Sequence, residues 1–202
     1  MALMNPLVIA CIVEGDGAVR ALPVLLQQLN AWLTPKYWPK VAAPIRVRRD
    51  RFLARDAEFE KYVRLAIAKA GPKGWVLILL DADGDCPAEL APRIVERARR
   101  MGIGSSLSVV LANREYEAWF IAAAESLDGQ RGFALGEPLD IDPEVPRNAK
   151  GWISERMRGG KYREVIDQPA FSALLDLAQA RKNSASFNKL CRGWLAHVQS
   201  PD

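Results

Sequence analysis

Continuous apolar runs alternate with longer stretches in which apolar residues recur every three or four positions. Leu7 to Val13, Trp75 to Leu80 and Leu107 to Ala112 are unbroken runs, the pattern of strands buried on both faces. Ile45 to Val47 makes a shorter strand candidate, set among Arg46, Arg48, Arg49 and Arg51. Between the runs, Val19, Leu22, Leu26, Leu29 and Leu33 share one helical face. Phe59, Tyr62, Val63, Ala66, Ile67 and Ala70 share another, ended by the sequence GPKG. A third helix carries Leu90, Ile94, Ala98 and Met101, and NREYEAWFIAAAESL predicts a fourth from about Glu115. Strands alternating with helices predict an α/β fold with a mainly parallel sheet between helices.

After Leu127 the pattern changes. GEPLDIDPEVP reads as a loop or linker, and residues 150–202 read as mixed helical, with segments near Trp152–Arg158, Phe171–Ala180 and Phe187–Val198. The expected organisation is an α/β domain over residues 1–127 and a linker with a small, mostly helical C-terminal extension over 128–202, packed on the sheet.

Composition narrows the class. The 202 residues are 50% hydrophobic and 26% charged, with a net charge of +4, which permits nucleic-acid binding without arguing for it. No apolar run reaches the roughly 18–20 residues of a membrane span. The apolar N-terminus lacks a basic leader and is interrupted by Glu14 and Asp16, so it reads as a first strand. Three scattered cysteines and one histidine exclude a disulfide framework, a cysteine-rich zinc site and multi-histidine metal sites. A cytoplasmic protein is expected.

In open α/β sheets, sites lie at the carboxyl ends of the strands. The acids there are Glu14 and Asp16 after the first strand, Asp81, Asp83 and Asp85 after the third, and Glu115 and Glu117 after the fourth. Carboxylates crowded in a partly dry site repel one another and must protonate or bind a cation. Oxygen ligands without nearby His or Cys favour Mg²⁺ or Mn²⁺ over zinc. In an extended DADGD segment, Asp81, Asp83 and Asp85 would share one side. If the fourth helix begins at Glu115, residues two apart diverge by about 200°, so one of Glu115 and Glu117 faces the site; Glu115, nearer the strand, is the favoured one.

VEGDG after one buried strand and DADGD after a later one resemble the TOPRIM domain of topoisomerases, bacterial primases, OLD-family nucleases and small maturation nucleases. The resemblance covers residues 7 to 126. It implies a first-motif glutamate at Glu14, metal binding by Asp81 and Asp83, and a third acid at Asp85. NREYEAWF and the late SASFNKL further resemble the DUF4276 group of small bacterial TOPRIM-like proteins, often linked with an ATPase partner and with mobile-element or phage defence. Topoisomerase activity is not expected of a chain this short and without a tyrosine domain, and no accessory module marks it as a primase. The expectation is Mg²⁺- or Mn²⁺-dependent phosphodiester hydrolysis, with Glu14, Asp81 and Asp83 catalytic and Asp85, Glu115 and Glu117 as further ligands. The alternative is a non-catalytic, metal-binding regulatory or interaction subunit of an ATPase complex.

Other features carry two readings each. Asp16 reads as a helix cap or as part of the EGD turn. A calcium loop starting at Asp81 fails, because its twelfth position is Arg93. Arg46, Arg48, Arg49, Arg51 and Arg55 read as a phosphate-tracking, nucleic-acid-binding surface or as a solvated strand edge. Lys150, Lys161, Arg163, Lys189 and their basic neighbours in the tail read as completing a nucleic-acid groove or, more commonly, as a charged helical surface. Trp119, Phe120, Trp152, Tyr162 and Trp194 read as packing residues, His197 as exposed, and Ser184 and Ser186 as a helix-entry turn. Cys86 adjoins the acids without a base to activate it.

Overall fold

The computed structural model describes residues 6–104, 106–137 and 141–199. The start of the N-terminal apolar stretch and the middle of the 136–146 loop lie outside the described residues. The chain runs β1 (Val8–Glu14), α1 (Gly15–Leu33), β2 (Lys40–Val41), β3 (Ile45–Val47), α2 (Arg49–Ala54), α3 (Asp56–Ala70), β4 (Trp75–Asp81), α4 (Pro87–Arg100) and β5 (Leu107–Ala112). There follow α5 (Ala118–Ala122), α6 (Ala124–Leu127), α7 (Ala149–Glu155), α8 (Glu164–Leu174), α9 (Leu177–Asn183) and α10 (Ala185–Val198).

The five strands form one parallel sheet. β1 and β4 are its central pair, β5 is one edge, and β2 and β3 lie end to end along the other side of β1. Ala42–Pro44 separates the two short strands, and Pro44 has no N–H to give a ladder. Alternation within the central strands divides the core in two. Ile9, Cys11 and Val13 of β1 and Trp75, Leu77 and Leu79 of β4 face one layer with α1 and helices from the C-terminal third. Ala10, Ile12, Val76, Ile78 and Leu80 face α2, α3 and α4. The architecture is helix, sheet, helix, with a helical C-terminal region. Residues from Phe133 to Val198 share the first core with the sheet, and Trp194 Nε1 donates to the buried Thr34 Oγ1 at 2.8 Å.

Several expected boundaries move. Arg49 and Arg51 belong to α2 instead of flanking a strand. The helix expected from Glu115 starts at Ala118, because Arg114 takes a left-handed conformation (φ 65°) that ends the strand in a turn. The segment expected around 171–180 is two helices, α8 and α9, joined where Asp176 caps α9 by accepting from Gln179 N–H at 2.9 Å. The described part of the 136–146 loop is tethered through Glu144. Its carboxylate accepts from Ser184 Oγ at 2.6 Å, Ser186 N–H at 3.0 Å and Asn113 Nδ2 at 3.1 Å. Burial opposes ionisation of Glu144, but these bonds outweigh it and hold its pKa below the usual range. Ser184 caps α10, accepting from Phe187 N–H at 3.0 Å.

Trp119, Phe120 and Trp194 are core residues, and Trp152 packs against the core. His197 is half-buried rather than exposed, stacked on Trp75 with centroids 4.7 Å apart. The three cysteines are free. Among the described residues, no helix is long and apolar enough to cross a membrane.

Candidate functional site

The chain leaves β1 into α1 on one face of the sheet and leaves β4 into α4 on the other. The carboxyl ends of β1 and β4 therefore flank the switch point where open parallel sheets bind ligands. Glu14 ends β1 and Asp81 ends β4. Gly15 follows Glu14 with φ 78°, turning the chain straight into α1 and leaving Glu14 at the N-cap with no side-chain capping bond. Asp16, read from the sequence as a helix cap or as part of the EGD turn, lies in the first turn of α1 and pairs with Arg46 at 3.2 Å on the surface.

DADGD does not stay extended. After Asp81 the chain turns, with Asp83 in the left-handed region (φ 51°) and Asp85 N–H donating back to Ala82 O at 2.9 Å. Asp83 and Asp85 thus leave the line of Asp81, and both are half exposed. Arg49 holds this turn. Its side chain is 10% exposed and donates to Asp81 O at 2.9 Å and Ala82 O at 3.1 Å, pairs with Asp85, and lies 3.6 Å from Asp83. It is a structural part of the site, whereas Arg46, Arg48 and Arg51 are exposed on the adjoining surface.

Both Glu115 and Glu117 reach the site, because they precede α5 and the helical divergence between them does not arise. Glu117 is the more central: it is fully buried, against 19% exposure for the Glu115 side chain. Its Oε1 accepts from Tyr162 Oη at 2.9 Å and Gln168 Nε2 at 3.2 Å. Its Oε2 has no hydrogen-bond partner and faces Lys150 Nζ at 3.6 Å. That ammonium also lies 3.9 Å from Asp81, 3.8 Å from Glu115 and 3.8 Å from Glu164. Lys150 N–H donates to Glu115 Oε2 at 3.0 Å, so its backbone is fixed as well.

The electrostatics follow from this crowding. Burial raises the Asp81 pKa well above the carboxylate range; Glu117 and Glu14 add to the effect, while Lys150 and a 2.9 Å bond from Tyr116 N–H oppose it. Burial pushes Glu117 up to about 7 against the pull of Lys150 and Tyr162. Burial also raises Glu14, helped by Asp83 and opposed by Arg49. For Lys150, burial works against the charge, but Glu117, Asp81, Glu115 and Glu164 outweigh it and raise its pKa, so it stays an ammonium. Burial and the Glu117 charge raise Tyr162, which therefore keeps its proton as a donor.

Among the described residues, no three Asp, Glu, His or Cys side chains are drawn close enough to hold an ion as they stand. The donor chemistry nevertheless fits a hard divalent cation. Glu14 Oε2 is buried without a hydrogen-bond partner, and the Asp83 and Asp50 carboxylates disfavour its charge. An ion on the all-oxygen donors Glu14, Asp81 and Asp83 would relieve both deficits. Lys150, Tyr162, Glu164 and Gln168 were not legible as site residues. They come from the helical tail, where Lys150 is one basic residue among many and Tyr162 one aromatic among several; no periodicity marks them.

The molecule is thus an open parallel-sheet α/β protein with a carboxylate–lysine cluster at its switch point. The family model for DUF4276, a domain of unknown function, matches residues 13–194, and the chain belongs to that family. Searches of curated proteins and of solved structures found no significant match.

Proposed function

We propose that this protein is a TOPRIM-like, Mg²⁺- or Mn²⁺-dependent nuclease, and that Glu14, Asp81 and Asp83 hold the metal. The observation that carries this reading is that Glu14 ends β1 and Asp81 ends β4 at the switch point, where the chain runs on through VEGDG and DADGD, with one Glu14 oxygen buried and unpartnered. When bound, the metal supplies Lewis-acid activation of a phosphodiester and its attacking water. The chain's residues do the rest. Arg49 fixes the DADGD turn by its backbone carbonyls, which sets where Asp83 points. Tyr116 N–H holds one Asp81 oxygen and leaves the other facing the cluster. Glu14, whose charge is disfavoured by burial and by Asp83, holds a proton more readily than an exposed carboxylate does. The exposed Arg46, Arg48 and Arg51 adjoin the site where a phosphate backbone would pass.

The second reading is a non-catalytic regulatory or interaction subunit of an ATPase complex. Lys150 favours it, because an ammonium already neutralises part of the carboxylate cluster. The deciding experiment is cleavage of labelled DNA and RNA by the purified chain with Mg²⁺, Mn²⁺ or EDTA, beside an Asp81→Ala/Asp83→Ala variant. Metal-dependent cutting lost in the variant supports the nuclease. No cutting under any condition, with metal still bound, moves the assignment to the subunit, and restoration by an added ATPase partner would then identify its setting.

A further inference from the structure

Resting on the metal-site reading above, we propose that the site takes a single divalent cation, on the side of Glu14, Asp81 and Asp83, and that the Lys150 ammonium supplies a second, built-in positive charge. Four carboxylates from three parts of the chain surround Lys150 Nζ: Asp81 at 3.9 Å, Glu115 at 3.8 Å, Glu117 at 3.6 Å and Glu164 at 3.8 Å. The near-equal distances exceed those of ammonium hydrogen bonds, about 2.7–3.2 Å. The ammonium therefore sits centrally, balancing the group instead of serving one partner.

Burial explains why a covalently attached cation belongs here. Glu117 is fully buried, and Tyr162 and Gln168 both bond its Oε1, which leaves Oε2 to Lys150. An exchangeable ion would strand a buried carboxylate each time it dissociated, an expensive state for a charge in a dry interior. Lys150 cannot dissociate. Its backbone is bound to Glu115 and seated in the first turn of α7, whose cap is Asn148 accepting from Gly151 N–H at 2.8 Å. Asp81 lies at the border between the two sides. One oxygen is taken by Tyr116 N–H at 2.9 Å and the other faces Lys150, while its electrostatic neighbours include both Glu14 and Glu117. Two-metal centres share a carboxylate between ions about 4 Å apart; here an ammonium takes the second ion's place.

The test is calorimetric titration of the full chain with Mn²⁺, using wild type, Lys150→Arg, Lys150→Ala, Lys150→Gln and the Asp81→Ala/Asp83→Ala variant, with folding checked by circular dichroism. One ion per chain is expected for wild type and Lys150→Arg, and two for Lys150→Ala and Lys150→Gln. Two ions on the wild type would overturn the inference and leave the metal-site reading standing, as would a single ion on the neutral variants. No ion on the wild type, or binding indifferent to the loss of Asp81 and Asp83, would overturn both. Should the neutral variants fold only with Mn²⁺ present, two ions retained per refolded chain support the inference. One ion, or no refolding, overturns it.

Discussion

At the residue scale, the site is held by unequal carboxylates. Glu117 titrates near 7 when folded and near the ordinary glutamate value when unfolded, so the folded state binds its proton more tightly. Its contribution is therefore fully present below about pH 4.5 and is lost as pH rises towards 7, up to roughly 3 kcal/mol for a shift of that size. Asp81 and Glu14 act in the same direction. The metal-free protein should melt at a lower temperature at pH 8 than at pH 5, and Glu117→Gln, which cannot titrate, should flatten that slope in a thermal-melt series. If Mg²⁺ binds at the proposed site, it should raise the melting temperature more at pH 8 than at pH 5, since the carboxylates must first lose their protons. Asp81→Asn should abolish metal-dependent cleavage while the metal-free fold is kept or slightly stabilised by relief of repulsion; full activity at saturating Mg²⁺ would remove Asp81 from the site. The strand-end positions of Glu14 and Asp81 were legible because strand ends announce themselves in an apolar run, whereas the turn that carries Asp83 out of line was not. Lys150 was not, because a lysine in a helical tail looks the same whether it meets water or four carboxylates.

At the scale of elements, α1 and α8 pack closely enough to couple the fold to the site. A Cβ built on Gly17 would stand 2.2 Å from Gln168 Oε1 and 2.5 Å from Glu164 Cγ. Gly17→Ala should therefore push aside two side chains that belong to the site, with a stability loss of about 1–3 kcal/mol. Denaturant melts would give that loss, and calorimetry should show weaker Mn²⁺ binding than in a variant of equal stability altered elsewhere in the core. The long elements were readable, because β1, β4, β5 and α3 carry unbroken apolar runs or sustained helical spacing. Of the short ones, β3 was read over its own three residues, Ile45–Val47, but β2 and α2 were not. β2 spans two residues and α2 six, too few for a period to register, and the arginines of α2 hid its single buried residue, Phe52. The start of α5 escaped because the decisive event is one left-handed residue, Arg114, which no apolar pattern records.

At the scale of the molecule, the C-terminal third covers one face of the sheet and completes the site. Ile9, Cys11, Val13, Trp75, Leu77 and Leu79 share a core with Phe171, Phe187, Leu190 and Trp194. A chain ended at residue 127 should expose that face and lose cooperative unfolding, visible as dye binding to apolar surface and a broadened melt; a sharp melt would mean that the first 127 residues fold alone. The parallel α/β class followed from the alternation of runs and helices, but the order of strands in the sheet did not, since pairing partners leave no mark on a single strand's pattern. The position of Lys150 also bears on the order of events during synthesis. The carboxylates at the ends of β1, β4 and β5 leave the ribosome before residue 118, while their ammonium, Lys150, and the donors Tyr162 and Gln168 follow later, the donors 45 and 51 residues after Glu117. Until then Asp81 and the Glu115–Glu117 pair lack the ammonium that balances them, a negative charge that resists drying. The last side chains to arrive are the ones that let the switch point close.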